Sequence, residues 1–377
     1  MSGKPKPEPE EAQDDGPGLR PLERMGVRQL ETLRLVLRGG SVVDWRRLDL
    51  ETPEEVDRFL AINLFDLSDP RDERRIREIL AQAVEYLRKV FGYRVADAVA
   101  HPGDLRSLFL LASGVIEPVR YRRIACVVLK VMHVVQHLEA RELLSRTPVR
   151  EADLAEKLDH RVSAELTRLR KAGLPIVGFG GNVKPRHSLM TKLIAKRETL
   201  AAQIFDRLRY RIVTERREQI PAVVLQLTES LFPFNHTVPG QTQNNLVDFA
   251  DLLRRHPKGA QLGAALQFPH DEEEPDPATP QNELSGRAYR VLNFIVDVPI
   301  RIDELVPRAA AVNDELGRIV YSAVEFQVVD AETQRHNEAG DSAHVRYKRR
   351  QLKRVLRRLS RGLVVPKKKP HHPTKAE

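Results

Sequence analysis

Glu325 lies inside Arg318–Val329, a run of strand-forming residues in which alternate side chains share a face. Val324, Phe326 and Val328 make an apolar face that needs a core or a helix beneath it. Ala323, Glu325 and Gln327 make the other, so a carboxylate stands in mid-strand between Ala and Gln rather than beside a basic partner. Such a group suits a proton acceptor or a cation ligand, and the plainer alternative is an exposed sheet face carrying an ordinary charge. In an earlier strand candidate, Tyr289–Pro299, the side chains of Tyr289, Val291 and Asn293 share a face. Two other groupings carry chemistry. His133 and His137 have the i, i+4 spacing of a helical metal pair, but Val134 stands where a zincin has glutamate and no third ligand is apparent. The pair reads as packed or capping histidines. Gly178-Phe179-Gly180-Gly181 lacks the Lys-Ser/Thr of a phosphate-binding loop and reads as a flexible loop.

The elements that must position these residues come in two styles. From Leu22 to about Ser145 the pattern is helical. Thr52-Pro53-Glu54-Glu55 supplies an N-cap, a first-position proline and an acidic first turn, and Asp69-Pro70 repeats the device. Ile76, Ile79, Leu80, Ala83, Val84, Leu87 and Phe91 then recur at helical spacing. A third helix opens at Thr147-Pro148, carries Leu154, Leu158, Val162, Leu166 and Leu169, and stops near Gly173. Beyond Gly173 the spacing predicts a short helix over Ser188–Lys196, a strand over Arg209–Val213, a helix over Pro221–Leu231 and a loop over Pro269–Pro280. After the two later strands a helix starts near Thr333 and runs into the tail. Strands alternating with helices predict an α/β domain over roughly 175–350, behind an all-helical region.

Composition closes off several classes. The chain has 377 residues, 41% of them apolar, enough for about two to three domains. A single cysteine, Cys126, excludes a disulfide framework and a Cys-built zinc site. No apolar run approaches the ~20 residues of a membrane helix, so no membrane is expected. The first eighteen residues have no apolar signal core, and a cytoplasmic location is expected. Residues 1–22 have almost nothing to bury and read as disordered. Net charge is +9, yet Arg346–Glu377 holds thirteen Lys/Arg against one acid, a local +12 that leaves −3 for the rest. A mildly acidic body therefore carries a basic tail, suited to RNA or another polyanion or simply to solubility. In that tail Leu352, Val355, Leu356, Leu359 and Leu363 recur at helical spacing, which predicts a helix packing its Leu stripe on the body or a partner.

The stretch Glu325–Lys348, EFQVVDAETQRHNEAGDSAHVRYK, resembles without a gap the segment that closes RelA/SpoT-type (p)ppGpp synthetase domains, E-I-Q-I-R-T followed by A-E-x-G-x-A-A-H-W-x-Y-K. Glu325, Gln327, Glu338, Gly340, Ala343, His344, Tyr347 and Lys348 fall on matching positions. Lys184, Ser188 and Lys192 resemble that family's K-x3-S-x3-K helix. Asp206 and Arg211 resemble its D-x4-R, and Tyr289 sits where it has G-Y-x-S-L-H. The resemblance runs from Lys184 to Lys348, under half of the chain.

It implies a nucleotidyltransferase-like fold of α/β (α+β) class, with a mixed β-sheet flanked by helices. The domain would span 146–350, behind a helical region over 23–145 and ahead of a basic helical tail over 351–377. It also implies transfer of the β,γ-pyrophosphate of ATP to the 3′-hydroxyl of GTP or GDP, with Mg2+. Crowded polyphosphates need a divalent cation and several Lys/Arg, and the hydroxyl needs a carboxylate to take its proton. On the resemblance, Asp206 holds Mg2+ and Glu325 is the base and a second ligand. Lys184, Ser188, Lys192 and Arg211 grip phosphates, Tyr289 stacks on the purine, and Asn293, Gln327, Glu338, His344 and Lys348 complete the substrate set. The chain departs from the family at Val329 and Asp330, which replace Arg-Thr, at Asn182, Ala288 and Asn293. Part of the phosphate grip is thereby lost, which keeps open a second reading as a catalytically degenerate nucleotide-sensing or RNA-docking protein. The lone His-Asp dipeptide, His270-Asp271, lies in the acidic proline loop, so no alarmone hydrolase is expected.

Overall fold

The computed structural model describes residues 22–40, 45, 48–183, 185–195, 208–265, 289–305, 316–339 and 344–360. Ahead of the first strand come helices α1 (Val27–Arg38), α2 (Pro53–Ile62), α3 (Pro70–Phe91), α4 (Asp97–Ala100), α5 (Arg106–Ser113), α6 (Arg122–Arg146) and α7 (Glu151–Lys171). Strands and helices then alternate: β1 (Ile176–Val183), α8 (Arg186–Ala195), β2 (Leu208–Thr214), α9 (Ile220–Ser230) and β3 (Gln243–Asn244). They continue with α10 (Phe249–Arg255), α11 (Gly259–Ala265), β4 (Leu292–Arg301), β5 (Ile319–Asp330), α12 (Ala331–Glu338) and α13 (His344–Leu359). None of the described helices is long and apolar enough to cross a membrane.

Helix starts follow from capping. Thr52 Oγ1 accepts the Glu55 N–H at 3.2 Å ahead of α2, and Asp69 Oδ1 accepts the Arg71 N–H at 2.9 Å ahead of α3. The α3 stripe from Ile76 to Leu87 is buried, but Phe91, expected to close it, is 59% exposed and stacks on Tyr93 instead. Helix α3 ends at Gly92, whose positive φ of 66° is the left-handed cap that glycine adopts without strain.

The five strands form one mixed sheet in the order β1-β2-β5-β4-β3, with β2 and β5 parallel and the other pairs antiparallel. The glycine run read as a loop is the edge strand β1. Its backbone pairs with β2, and Gly181 passes so close to β2 that an added Cβ would sit 2.8 Å from Tyr210 Cζ and 2.7 Å from Asp159 Oδ1. A side chain at Gly181 would force Tyr210 or Asp159 to shift, so this glycine reflects close approach, whereas Gly178 and Gly180 have open space.

Parity along β5 divides the two faces. Val324, Phe326 and Val328 are fully buried, with Tyr210 and Phe294, in a core closed by α1, α7 and α9. Ile319 and Tyr321 face a second core made by α2, α3, α5 and α6. The helical region is tied to β4 by Arg301, whose guanidinium donates to Asp72 at 2.6 and 2.9 Å and to the Leu64 carbonyl at 2.8 Å.

Candidate functional site

Parallel pairing of β2 with β5 places Arg209 opposite Glu325 and Arg211 opposite Gln327. Antiparallel pairing with β4 adds Ile295 and Asn293 to the same two rows. Glu325 is only 4% exposed. Contrary to the reading of a carboxylate without a basic partner, Arg209 Nε donates to Glu325 Oε2 at 2.9 Å. The partner comes from the neighbouring strand, where along-strand parity cannot reveal it. Gln327 Nε2 donates to Glu325 Oε1 at 3.0 Å, and Arg211 Nη2 donates to Gln327 Oε1 at 3.3 Å. Arg211 also reaches Tyr289 Oη at 3.4 Å, with Glu338 Oε1 3.9 Å from Nη1.

Tyr289 is half-buried, and its backbone is clamped by two asparagines that the sequence did not single out. Asn245 Nδ2 donates to Tyr289 O at 2.8 Å, while its Oδ1 takes the Val291 N–H at 2.8 Å. Asn337 exchanges two hydrogen bonds with the backbone of Arg290. Asn293 Oδ1 is buried without a hydrogen-bond partner among the described residues. Asp330, which stands where the resembled segment has threonine, ends β5 and caps α12. Its Oδ1 accepts the Thr333 N–H at 2.8 Å and its Oδ2 the Thr333 hydroxyl at 2.6 Å. Burial pushes this carboxyl up, but the Thr333 bonds and the nearby Arg217 outweigh it and hold the group below its ordinary value.

The structure thus gathers Glu325, Gln327, Arg211, Tyr289, Asn293 and Glu338. Ser188 on α8 and Lys348 on α13 make no hydrogen bond or ion pair with that cluster. These two helices pack on each other, where Arg358 donates to the Ile194 carbonyl. Lys184 and Asp206 lie outside the described residues, as do the side chains of Lys192 and His344. On α13 Val355 is buried, but Leu352, Leu356 and Leu359 are exposed, so the stripe expected to pack is largely uncovered. The expectation for the tail beyond residue 360 lies outside the described residues, as does that for residues 1–21. The His133/His137 pair, read as lacking a third ligand, meets His236. That residue is distant in sequence and sits in a turn, where no periodic pattern marks it.

No protein-family model matches the sequence, and no curated protein matches it either. Among solved structures the chain is similar to the small alarmone synthetase 1 of Bacillus subtilis bound to its product pppGpp. The identity is 13%, over 54% of this chain and 86% of that one, with a TM-score of 0.29. The small alarmone synthetase 2 of Bacillus subtilis is 14% identical over 59% and 98% of the two chains, with a TM-score of 0.29. A GTP pyrophosphokinase family protein from Streptococcus pneumoniae is 13% identical over 56% and 87%, with a TM-score of 0.28. Superpositions this loose do not transfer residue roles.

Proposed function

We propose that the chain is a nucleotide pyrophosphokinase-like transferase. It would move pyrophosphate from ATP to the 3′-hydroxyl of a guanine nucleotide or a related acceptor. The observation that supports this best is the row of Arg211, Gln327 and Tyr289 beside the buried Glu325. A planar guanidinium suited to phosphate and a half-buried ring suited to a purine lie next to a carboxylate able to take a hydroxyl proton. Lys184, Ser188 and Lys192 would add to the phosphate grip, and Asn293, Glu338, His344 and Lys348 to substrate binding. The donor set suits Mg2+, because carboxylate oxygens are what a hard cation takes. Asp206 and Glu325 would hold the ion, which would neutralise crowded phosphate charge.

A second reading has its own support. The Arg209 guanidinium already neutralises Glu325, which lowers its value as a base and favours a nucleotide-sensing or RNA-docking role without turnover. Purified protein incubated with labelled ATP, Mg2+ and separate GTP, GDP, ATP and tRNA acceptors distinguishes the two. A labelled 3′-pyrophosphorylated product is expected. Saturable nucleotide or tRNA binding without product would replace the transferase by the binding protein, and neither would remove both.

A further inference from the structure

Away from Glu325, three imidazoles from two distant segments meet. His133 and His137 sit one turn apart on α6, with ring centroids 4.2 Å apart. The turn Phe234–His236, which follows α9, brings His236 to 5.1 Å from the first ring and 5.2 Å from the second. One ring nitrogen from each lies within 4.8 Å of the other two. Tyr321 of β5 stacks on His137 at 4.0 Å and 4°, and meets His236 edge-on at 5.2 Å, which fixes both rings from the sheet side.

Two of the rings turn Nδ1 toward an oxygen, and turning one amide gives the third the same proton placement. His236 Nδ1 is 3.0 Å from the Asp297 carbonyl, which only accepts, so Nδ1 carries the proton and Nε2 a bare lone pair. His137 turns Nδ1 toward Asp297 Oδ2 at 3.8 Å, and its buried Nε2 has no partner among the described residues. His133 Nδ1 is 2.8 Å from the Asn235 amide, whose Oδ1 is otherwise unpartnered. Turning that amide end for end lets Nδ1–H donate to Oδ1 and leaves the third Nε2 bare. Each ring then has a bare Nε2 while Nδ1–H faces an oxygen, the proton placement of metal-ligating histidines. A merely packed histidine would not leave the buried His137 Nε2 without a partner among the described residues.

We infer that His133, His137 and His236 form a three-imidazole site for a divalent transition metal ion of the zinc class, supported from outside by Asp297 and Asn235. Nitrogen donors suit zinc or cobalt and not the hard Mg2+. Tetrahedral ligation at ~2.0–2.1 Å needs nitrogens about 3.3 Å apart, which small side-chain rotations reach from the present spacing. His133 and His236 border a cavity of about 90 Å³ walled by Trp45, Phe59, Phe109 and Leu129, so the fourth ligand position opens on a mostly apolar space. The site does not rest on the transferase reading.

The test uses the full chain carrying His371→Ala and His372→Ala, so that the tail histidine pair contributes nothing. After chelator treatment it is titrated with Co2+, followed by visible absorption, and then with Zn2+, followed by elemental analysis. About one Co2+ per chain with ligand-field bands, displaced by Zn2+, is expected. His236→Gln should reduce uptake to near zero with its circular dichroism unchanged, and Asp297→Asn should weaken binding about 10–100-fold. Should His236→Gln not fold, His137→Gln gives the same reading. A parent chain that takes up neither metal, or a folded His236→Gln that binds like the parent, overturns the site.

Discussion

The face of the sheet that carries Glu325 also carries Tyr321 and Asp297, and its two ends are built differently. They are separated by four residues of β5, about 13 Å at ~3.3 Å per residue. At the Glu325 end charged groups answer one another: guanidinium to carboxylate, amide to carboxylate, guanidinium to amide and phenol. At the Tyr321 end the groups are rings held by stacking and by oxygens outside the cluster, and a buried atom without a partner among the described residues is a ring nitrogen, His137 Nε2, where at the Glu325 end it is an amide oxygen, Asn293 Oδ1. On the proposed transferase reading, the charged end would receive a ligand that competes for these side chains, a polyanion above all. Neutral nitrogens with spare lone pairs are set up to receive a cation. On the two proposals, one strand would serve two recognition chemistries.

The largest expected effect attacks the saturated end. Arg209→Met strands the buried Glu325 carboxylate and should cost about 3 kcal/mol in urea unfolding. That is the low end of the ~3–5 kcal/mol for breaking a buried pair, because Arg209 is itself partly exposed. Adding Glu325→Met should restore most of the loss, since two apolar residues leave no lone charge. A single-variant cost below about 1 kcal/mol would mean that the two ends do not differ in this way.

At the other end, Zn2+ at a hundredfold excess over its dissociation constant should stabilise the chain by about 2.7 kcal/mol. The readout is a rise in Tm that Mg2+ does not reproduce and that His137→Gln abolishes. An equal gain from Mg2+ would erase the chemical distinction between the ends. The smallest effect comes from Tyr289→Phe, which keeps the ring and loses only its hydroxyl contact with Arg211. Nucleotide affinity should fall by about 0.5–1.5 kcal/mol in a binding isotherm, whereas Tyr289→Ala should cost more. Equal losses would take the ring out of base recognition.

What was legible in the sequence was whatever repeats along one element. The parity of Ala323, Glu325 and Gln327 placed them on one face because strands have period two. The stripes of α3 and α7 were readable because helices have period 3.6. What was hidden comes from other elements. Arg209 lies two residues before Arg211 on the same face, a signal present in DRLRYR, but its tie to Glu325 depends on which strand becomes the neighbour. His236 stands in a three-residue turn with no pattern around it, so two of the three imidazoles looked like packing. Glycines 178, 180 and 181 looked like a loop because composition cannot show that they pair as a strand with β2, with Gly181 close against Tyr210.

The strand order also has a consequence in time. β5 is the middle strand of the sheet and the last of the five in sequence, so every earlier strand waits for it. Before it arrives, β1 with β2 and β3 with β4 are two separate ribbons, each with an unpaired inner edge. Arg209 and Glu325 stand 116 positions apart. At ~5–20 residues per second, a ribosome needs roughly 6–23 s to make the second after the first. Throughout that interval the inner edge of β2, and for its last part that of β4, is open to wrong partners. When β5 enters, it joins the ribbons and delivers Glu325, Gln327 and Tyr321 in one event, so both ends of the face are born together and late.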